Sequence, residues 1–322
     1  MKLKQLLSLR RYRRCARIFR RPLKVHLQVA AAQRQPLRAD LLGGGSLDVA
    51  DARACRPMFD WLLEQSPDPL PVAMEDALVT FHHAGRPVAL PPTGTSFLIF
   101  REIFADDVYQ LDALSKRLGT VVDIGANVGL FALRAAPLAE RIICVEPVAE
   151  NLATARRNIA RAGESGRITL HKAAAAGESG RTASIHLCDG NNGAHSMRRE
   201  HAAQWGTAGY EEAPTIGLAD LFETHDIREC SLLKCDAEGA EFDIFQNAPR
   251  EILERVERIA LEVHLTAGDW DLKRFRALCG QLQAAGFRLE YESPQDRQGQ
   301  PKRAFLLWAS RNPPAAGTRH AA

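Results

Sequence analysis

The residues best suited to chemistry run from Val121 to Pro147. They read Val121-Val122-Asp123-Ile124-Gly125-Ala126-Asn127-Val128-Gly129, then a short helical stretch, then an apolar run ending on Glu146, 23 residues after Asp123. A strand over 120–124, a Gly-rich turn, a helix, a second strand and a terminal acid follow the order by which a parallel α/β sheet grips an adenosine nucleoside. The glycines let the main chain approach the ligand, and the acid takes the ribose hydroxyls. The spacing argues against a dinucleotide. A G-x-G-x-x-G loop would seat a pyrophosphate, whereas Asn127 replaces the middle glycine and the chain turns sooner. Asp123, directly before the loop, would repel a diphosphate and suits an amino group or a sulfonium. The pattern therefore predicts S-adenosylmethionine rather than NAD.

Two further motifs carry acids and a histidine. In Leu232-Leu233-Lys234-Cys235-Asp236-Ala237-Glu238-Gly239-Ala240-Glu241 a strand ends at Asp236, and Glu238 and Glu241 open the next helix. Ligands bind at the carboxyl ends of such strands, so Asp236 is predicted to face the cleft. Acids also complement a helix N-terminus by about 0.3–1 kcal/mol each. That reading covers Glu238 and Glu241 well, with Glu238 also a candidate to contact substrate, and Asp236 less well, because perturbed acids cluster in clefts. Leu261-Glu262-Val263-His264 closes the following strand. His264 can serve there as a general base, or stand as a satisfied rim residue, and Glu262 either orients its ring or lines the pocket. His195 reads as a solvated residue with reach to a substrate. No spacing reads as a metal site and none is expected, although Asp236 and Glu262 could in principle share Mg²⁺.

The chain has 322 residues, 46% hydrophobic and 25% charged, ordinary for a globular protein. Its net charge of +3 hides an asymmetry: residues 1–38 hold twelve Lys or Arg and no acid, leaving −9 on the rest. Leu3, Leu6, Leu7, Ile18 and Phe19 fall near helical spacing among seven arginines from Arg10 to Arg21. A basic amphipathic helix over residues 2–38 could lie on an anionic membrane or on RNA, the alternative being a solvated arm. Pro22 would end that helix, and Gly43-Gly44-Gly45 reads as a linker. Seven cysteines without a C-x-x-C pair suit a reducing cytoplasm, with membrane-peripheral contact through the leader the one qualification. No apolar run approaches the roughly 20 residues of a membrane span, and the Arg-rich start lacks the apolar core of a signal peptide.

The expected division is 1–45 basic leader and Gly linker, 46–118 accessory or cap segment, 119–311 cofactor-binding domain, and 312–322 flexible tail. The accessory segment reads as a helix over 47–65 closed by Pro67, Pro69 and Pro71. A hairpin follows around His82-His83-Ala84-Gly85-Arg86, with both histidines read as turn residues, then a helix over 107–118. The main domain reads as strands and helices in alternation, with an exposed strand over 182–188 and a long polar loop to Pro214. Seven principal strands, the last two as a hairpin, predict an α/β fold. Its sheet is seven-stranded and mostly parallel with one antiparallel strand, the Rossmann-like class I methyltransferase architecture.

The chain resembles the FkbM family of S-adenosylmethionine-dependent methyltransferases. The resemblance rests on Asp123 to Gly129, Glu146-Pro147 with Asn151, Lys234-x-Asp236-x-Glu238-Gly239-x-Glu241, Glu262-x-His264 and the upstream Phe104-x-x-Asp107-x-Tyr109, and covers about residues 97–265. It implies that Asp123, Gly125, Ala126, Asn127, Gly129 and Glu146 hold the cofactor, with Asp236 near the methyl group. It also implies a hydroxyl of a sugar or polyketide as the acceptor. One departure stands out. The third strand ends in Ala173-Ala174-Ala175-Ala176 and offers no Asp or Asn for the adenine amino group. Methyl transfer to a hydroxyl needs alignment and a general base, for which His264 and then Asp236 are the candidates. Two alternatives remain, a nucleic-acid methyltransferase or a non-catalytic binding module. The −9 outside the leader weighs against polyphosphate, and a scaffold has no need of Asp123 and Glu146.

Overall fold

The computed structural model describes residues 9–31, 35–49, 51–65, 72–114, 116–188, 191, 193–265, 269–296, 299–300 and 302–311. They form two compact units. One takes residues up to Asp106 with Arg157–Gly163, and the other takes Asp107–Arg156 with the residues from Glu164 onward. The predicted tail 312–322, the leucines Leu3, Leu6 and Leu7, and Pro67, Pro69 and Pro71 lie outside the described residues.

The first unit opens with α1 (Leu9–Ile18), α2 (Pro22–Ala31) and an antiparallel pair β1 (Leu37–Asp40) and β2 (Ser46–Val49). It continues with α3 (Arg56–Asp60), a π-turn (Trp61–Gln65), the antiparallel strands β3 (Ala73–Glu75), β4 (Leu78–His83) and β5 (Arg86–Leu90), and α4 (Gly94–Phe104). The described part of the leader is thus packed into this unit rather than held out on a linker. Cys15, Ile18, Phe19, Val25 and Val29 are buried, and the buried Arg11 reaches Asp60 at 3.1 Å. Pro22 opens α2 rather than only ending α1, since a first-turn residue needs no N–H partner. Gly44 and Gly45, both at positive φ, turn the β1–β2 hairpin. The helix expected from residue 47 begins only at Arg56, because Asp51 caps the N–H groups of Arg53 and Ala54 and holds a turn. His82 and His83 finish β4 instead of forming the turn, which Ala84 and Gly85 make at positive φ. The His83 ring packs edge-on against Phe100 and Phe104.

Among the described residues of 107–118 no α-helix forms. Asp107, at φ 46°, accepts from the N–H groups of Leu111 and Asp112 at 2.9 and 2.8 Å. That leaves a single 3₁₀ turn before the first main strand. Trp308 donates to the Val108 carbonyl at 3.2 Å, so this segment belongs with the second unit and the boundary falls at Asp106 rather than at 118.

The second unit runs β6 (Leu118–Ile124), α5 (Leu130–Ala135), β7 (Ala139–Val145), α6 (Ala149–Arg161, its residues from Arg157 counted with the first unit), β8 (Ile168–His171) and β9 (Ala174–Ala175). Next come β10 (Thr182–Leu187), α7 (Arg199–Ala202), β11 (Gly209–Ile216), α8 (Leu218–Thr224), β12 (Leu232–Cys235), α9 (Glu241–Gln246) and α10 (Arg250–Glu254). It closes with β13 (Arg258–His264), α11 (Asp269–Ala284), β14 (Arg288–Tyr291) and β15 (Ala304–Ser310). Seven strands line up as β14-β15-β13-β12-β6-β7-β8, and β15 alone runs antiparallel to its neighbours, as the alternation predicts. The near-continuous apolar runs of β7, β12 and β13 follow from burial on both faces. The chain leaves β6 toward β7 and β8, then returns to β12 on the other side of β6. The carboxyl ends of β6 and β12 are therefore a topological switch point, where such sheets bind ligands.

The polar loop expected to reach Pro214 is largely structured. Residues Gly209–Ile216 form β11, antiparallel to β10, and Arg199–Ala202 form a helical turn. The adjacent acids Glu211 and Glu212 concealed this strand, the middle one of its three-stranded sheet, from a hydropathy reading.

Candidate active site

The glycine loop is fastened on every side. Gly125 and Ala126 donate to the Val145 carbonyl at 3.0 and 3.1 Å, Asn127 donates to Glu146 Oε2 at 2.8 Å, and Gly129 donates to the Ala126 carbonyl at 2.9 Å. With these N–H groups engaged inside the protein, the loop presents no anion nest for a pyrophosphate. Gly125 is required by contact. A Cβ there would fall 1.7 Å from the Asp236 carbonyl oxygen, and φ is +71° besides. Asn127 holds φ 49°, a region Asn tolerates better than most side chains. Glu146, buried at the end of β7, also accepts from Val148 N–H at 3.0 Å and from Asn151 Nδ2 at 3.2 Å. Burial raises its pKa against those donors.

Asp123 has a partner inside the protein. It is fully buried and sits opposite Lys234 in the β6–β12 register, with its Oδ1 3.2 Å from Lys234 Nζ. Lys234 also donates to the carbonyls of Ile124 at 3.2 Å and Gly125 at 2.8 Å, and stands 3.8 Å from Asp236 Oδ2. Burial works against its charge, but Asp123 and Asp236 outweigh burial and hold the pKa above the ordinary lysine value. Beside the contact with an amino group or sulfonium expected of it, Asp123 thus has an internal partner. Its part is to fix the lysine that holds the loop. Sequence reasoning gave Lys234 no role, although it occupies the same place before its turn as Asp123 does.

Asp236 ends β12 at the switch point, as predicted, one quarter of its side chain exposed. The Tyr109 hydroxyl lies 3.5 Å from its Oδ2, while Oδ1 is buried with no hydrogen-bond partner. Burial pushes its pKa up to about 6, against the pull of Lys234.

His264 ends β13, as predicted, but both ring nitrogens meet acids. Nδ1 is 2.9 Å from Glu241 Oε1, and Nε2 lies 3.4 Å from Glu238 Oε2 and 3.8 Å from Glu262 Oε1. Burial alone would lower its pKa; Glu238 and Glu241 overcome burial and hold it well above the ordinary histidine value. With acids on both ring nitrogens, neither is turned toward open space. Glu241 does complement the start of α9, accepting from Ala237 and Gly239 N–H at 3.0 Å, and holds His264 as well. Glu238 does not serve the helix end. At φ 49° it turns its carboxylate to His264 and to His201, 2.5 Å from His201 Nε2.

His201, missed in the sequence, comes from α7 in the segment read as loop. Ser196 anchors that segment by donating to the Glu238 carbonyl at 2.6 Å. His195 is half-buried rather than solvated, and its Nδ1 accepts the Cys188 N–H at 3.0 Å. Burial lowers its pKa against the acids Glu238, Glu150 and Glu211. Two sets of potential metal ligands also meet here, although no spacing in the sequence reads as a metal site. His201, Glu238 and His264 offer ligand atoms within 4.8 Å of one another, and so do Asp236, Glu262 and His264.

A doubly wound sheet with a glycine loop and an acid at its switch point is a nucleoside-binding architecture. The profile described as Methyltransferase FkbM domain matches residues 123–289, just over half the chain, which belongs to that family. A curated relative, Methyltransferase 1 of Beauveria bassiana, is 26% identical over 231 residues, spanning 66% of this chain and 89% of its own. Among solved structures, Methyltransferase FkbM from Methylobacillus flagellatus is similar at 16% identity and a TM-score of 0.42, over 65% of this chain and 47% of that one. An rRNA methylase from Streptococcus thermophilus is similar at 14% identity and a TM-score of 0.40, over 65% and 96%. The protein is a methyltransferase.

Proposed function

We propose that the protein is an S-adenosylmethionine-dependent O-methyltransferase whose acceptor is a hydroxyl of a sugar, glycan, polyketide or similar small molecule. The buried, unpartnered Oδ1 of Asp236 carries the reading. A buried acceptor without a donor costs about 1–3 kcal/mol, and a ligand O–H aimed at it relieves that cost. The residues present fit the cofactor. The loop Gly125–Gly129 has no spare anion nest, which suits a sulfonium ligand better than a dinucleotide, and Glu146 keeps lone pairs for ribose hydroxyls beyond its internal donors. When bound, S-adenosylmethionine supplies an electrophilic methyl group. Asp236 receives the hydroxyl proton as the new bond forms, and Lys234 holds that carboxylate and the loop in register. His264, held between acids, positions the turn Asp236–Glu241 rather than taking the proton.

S-adenosylmethionine and its demethylated product should each raise the melting temperature, by about 2.7 kcal/mol of added stability at a hundred times Kd. NAD should not. A shift with NAD alone would overturn the cofactor assignment. A screen of hydroxylated glycans, lipids and polyketides with labelled methyl donor then identifies the acceptor.

The first unit suggests where the enzyme works. Arg10, Arg13, Arg17, Arg20, Arg21 and Lys24 are exposed on α1, α2 and the turn between them, beside exposed Leu9, Leu23, Leu27 and Leu42. No helix among the described residues is long and apolar enough to cross a membrane. Basic side chains flanking exposed leucines fit the surface of an anionic bilayer, each charge adding about 1 kcal/mol near the headgroups. Because the leader is part of a folded unit, charge reversal tests this better than truncation. Arg13→Glu with Arg17→Glu should abolish sedimentation with phosphatidylserine vesicles at low salt. Equal sedimentation of parent and variant would refute it.

A further inference from the structure

Methyl transfer, as derived above, leaves His201 without a task, and His201 is built into the site with care. His201 and His264 are 6% and 5% exposed, and Glu238 Oε2 stands between them, 2.5 Å from one Nε2 and 3.4 Å from the other. Glu241, wholly buried, faces Nδ1 of His264 at 2.9 Å and turns Nε2 toward the cluster. A carboxylate behind a histidine, fixing its tautomer and aiming the opposite nitrogen at a shared point, is how metal-bound imidazoles are oriented. His201 Nδ1 is buried with no hydrogen-bond partner, so no acceptor ties the ring to one tautomer and Nε2 can present a bare lone pair. Asp236 and Glu262 bring two more carboxylates within 4.8 Å of a His264 nitrogen. Four acids thus gather around two imidazoles and Lys234, an excess of negative charge inside a buried turn.

We infer that His201, Glu238 and His264 bind a first-row divalent cation of the Zn²⁺, Mn²⁺, Fe²⁺ or Co²⁺ class, next to Asp236. Two imidazole nitrogens select these over Mg²⁺ and Ca²⁺, which take oxygen ligands. The cation replaces the protons that otherwise sit between the imidazoles and Glu238, while Glu241 keeps the Nδ1 proton of His264. Three protein ligands leave a coordination position open, as in catalytic rather than structural sites. A hydroxyl oxygen of the acceptor fits there. Its O–H acidity rises, the proton goes to Asp236, and the freed electron pair on oxygen forms the bond to the methyl carbon as the carbon–sulfur bond breaks. This catalytic part rests on the O-methyltransferase reading, whereas the binding of the cation does not.

The test uses the full-length protein, stripped with a chelator and titrated calorimetrically with Mn²⁺, Zn²⁺, Co²⁺ and Mg²⁺, with thermal melts and the visible d–d absorption of Co²⁺ recorded alongside. One cation per chain is expected for at least one of Mn²⁺, Zn²⁺ and Co²⁺, with a raised melting temperature and weaker binding of Mg²⁺. Glu238→Gln preserves size and hydrogen bonding and should lower that affinity at least about tenfold, a loss typical of altering a metal site. His201→Gln should do the same. S-adenosylmethionine affinity, measured on the same samples, should stay as in the parent. Absence of one-to-one binding by all four cations, or parental affinity in folded Glu238→Gln, overturns the site and leaves Glu238 as a hydrogen-bonded bridge. Cation binding without S-adenosylmethionine binding would break the methyl-donor reading while upholding the cation site.

Discussion

Asp123→Ala is expected to destabilise the protein by about 3–5 kcal/mol, the cost of stranding a buried charge. Lys234 is 3% exposed, and its charge is compensated by Asp123 at 3.2 Å and by Asp236 at 3.8 Å. Without Asp123 the ammonium keeps the carbonyls of Ile124 and Gly125 but loses its nearer counter-ion. For a domain of this size, that corresponds to a melting temperature about 10 °C lower. Because Lys234 holds the loop through those carbonyls, affinity for S-adenosylmethionine should fall too, as a consequence of the loosened loop. Combining Asp123→Leu with Lys234→Met separates the causes. An apolar pair of similar volume leaves no stranded ammonium, and Asp236, one quarter exposed, keeps access to water, so the double variant should be more stable than Asp123→Ala. Denaturant unfolding of the three proteins is the measurement. An Asp123→Ala protein within about 1 kcal/mol of the parent would show that water or Asp236 compensates Lys234 and would leave Asp123 with the ligand-side contact alone.

The sheet was legible because its order is written in hydropathy: apolar strands alternate with helices, and the final two strands come without a helix between them. Gly125 and Glu146 could be placed because a turn and a strand end admit few residue types. The leader misled because its arginines dominate composition, while the burial of Cys15, Ile18 and Phe19 depends on partners distant in sequence. The internal partner of Asp123 was hidden for a related reason. An acid before a glycine loop looks ligand-facing until its cross-strand neighbour is known, and a parallel register between β6 and β12 cannot be read from either strand alone. His201 gave no signal, since the segment that carries it has neither the periodicity of a core helix nor a fixed spacing to Glu238.

Asp236→Asn should lower turnover by about 10²–10⁴-fold on the first acceptor found, the contribution of a positioned general base. Asparagine keeps the size of the side chain and its reach toward Tyr109, so the fold should persist and the loss should appear in kcat more than in KM. The neutral amide cannot take the hydroxyl proton, and His264 and Lys234 beside it are already engaged. His264 has Glu241 at 2.9 Å on one nitrogen and Glu238 at 3.4 Å on the other, and Lys234 is engaged by two acids and two carbonyls. Tyr109→Phe serves as the neighbouring control. It removes a hydroxyl 3.5 Å from Asp236 and should cost only a few-fold, because a contact that long is weak. Steady-state rates with labelled methyl donor, alongside calorimetric affinity for S-adenosylmethionine, separate chemistry from binding. If Asp236→Asn turned over within about threefold of the parent, the base would lie elsewhere. Glu262, one residue pair from His264 on β13 and partly exposed, would then be the carboxylate to replace next.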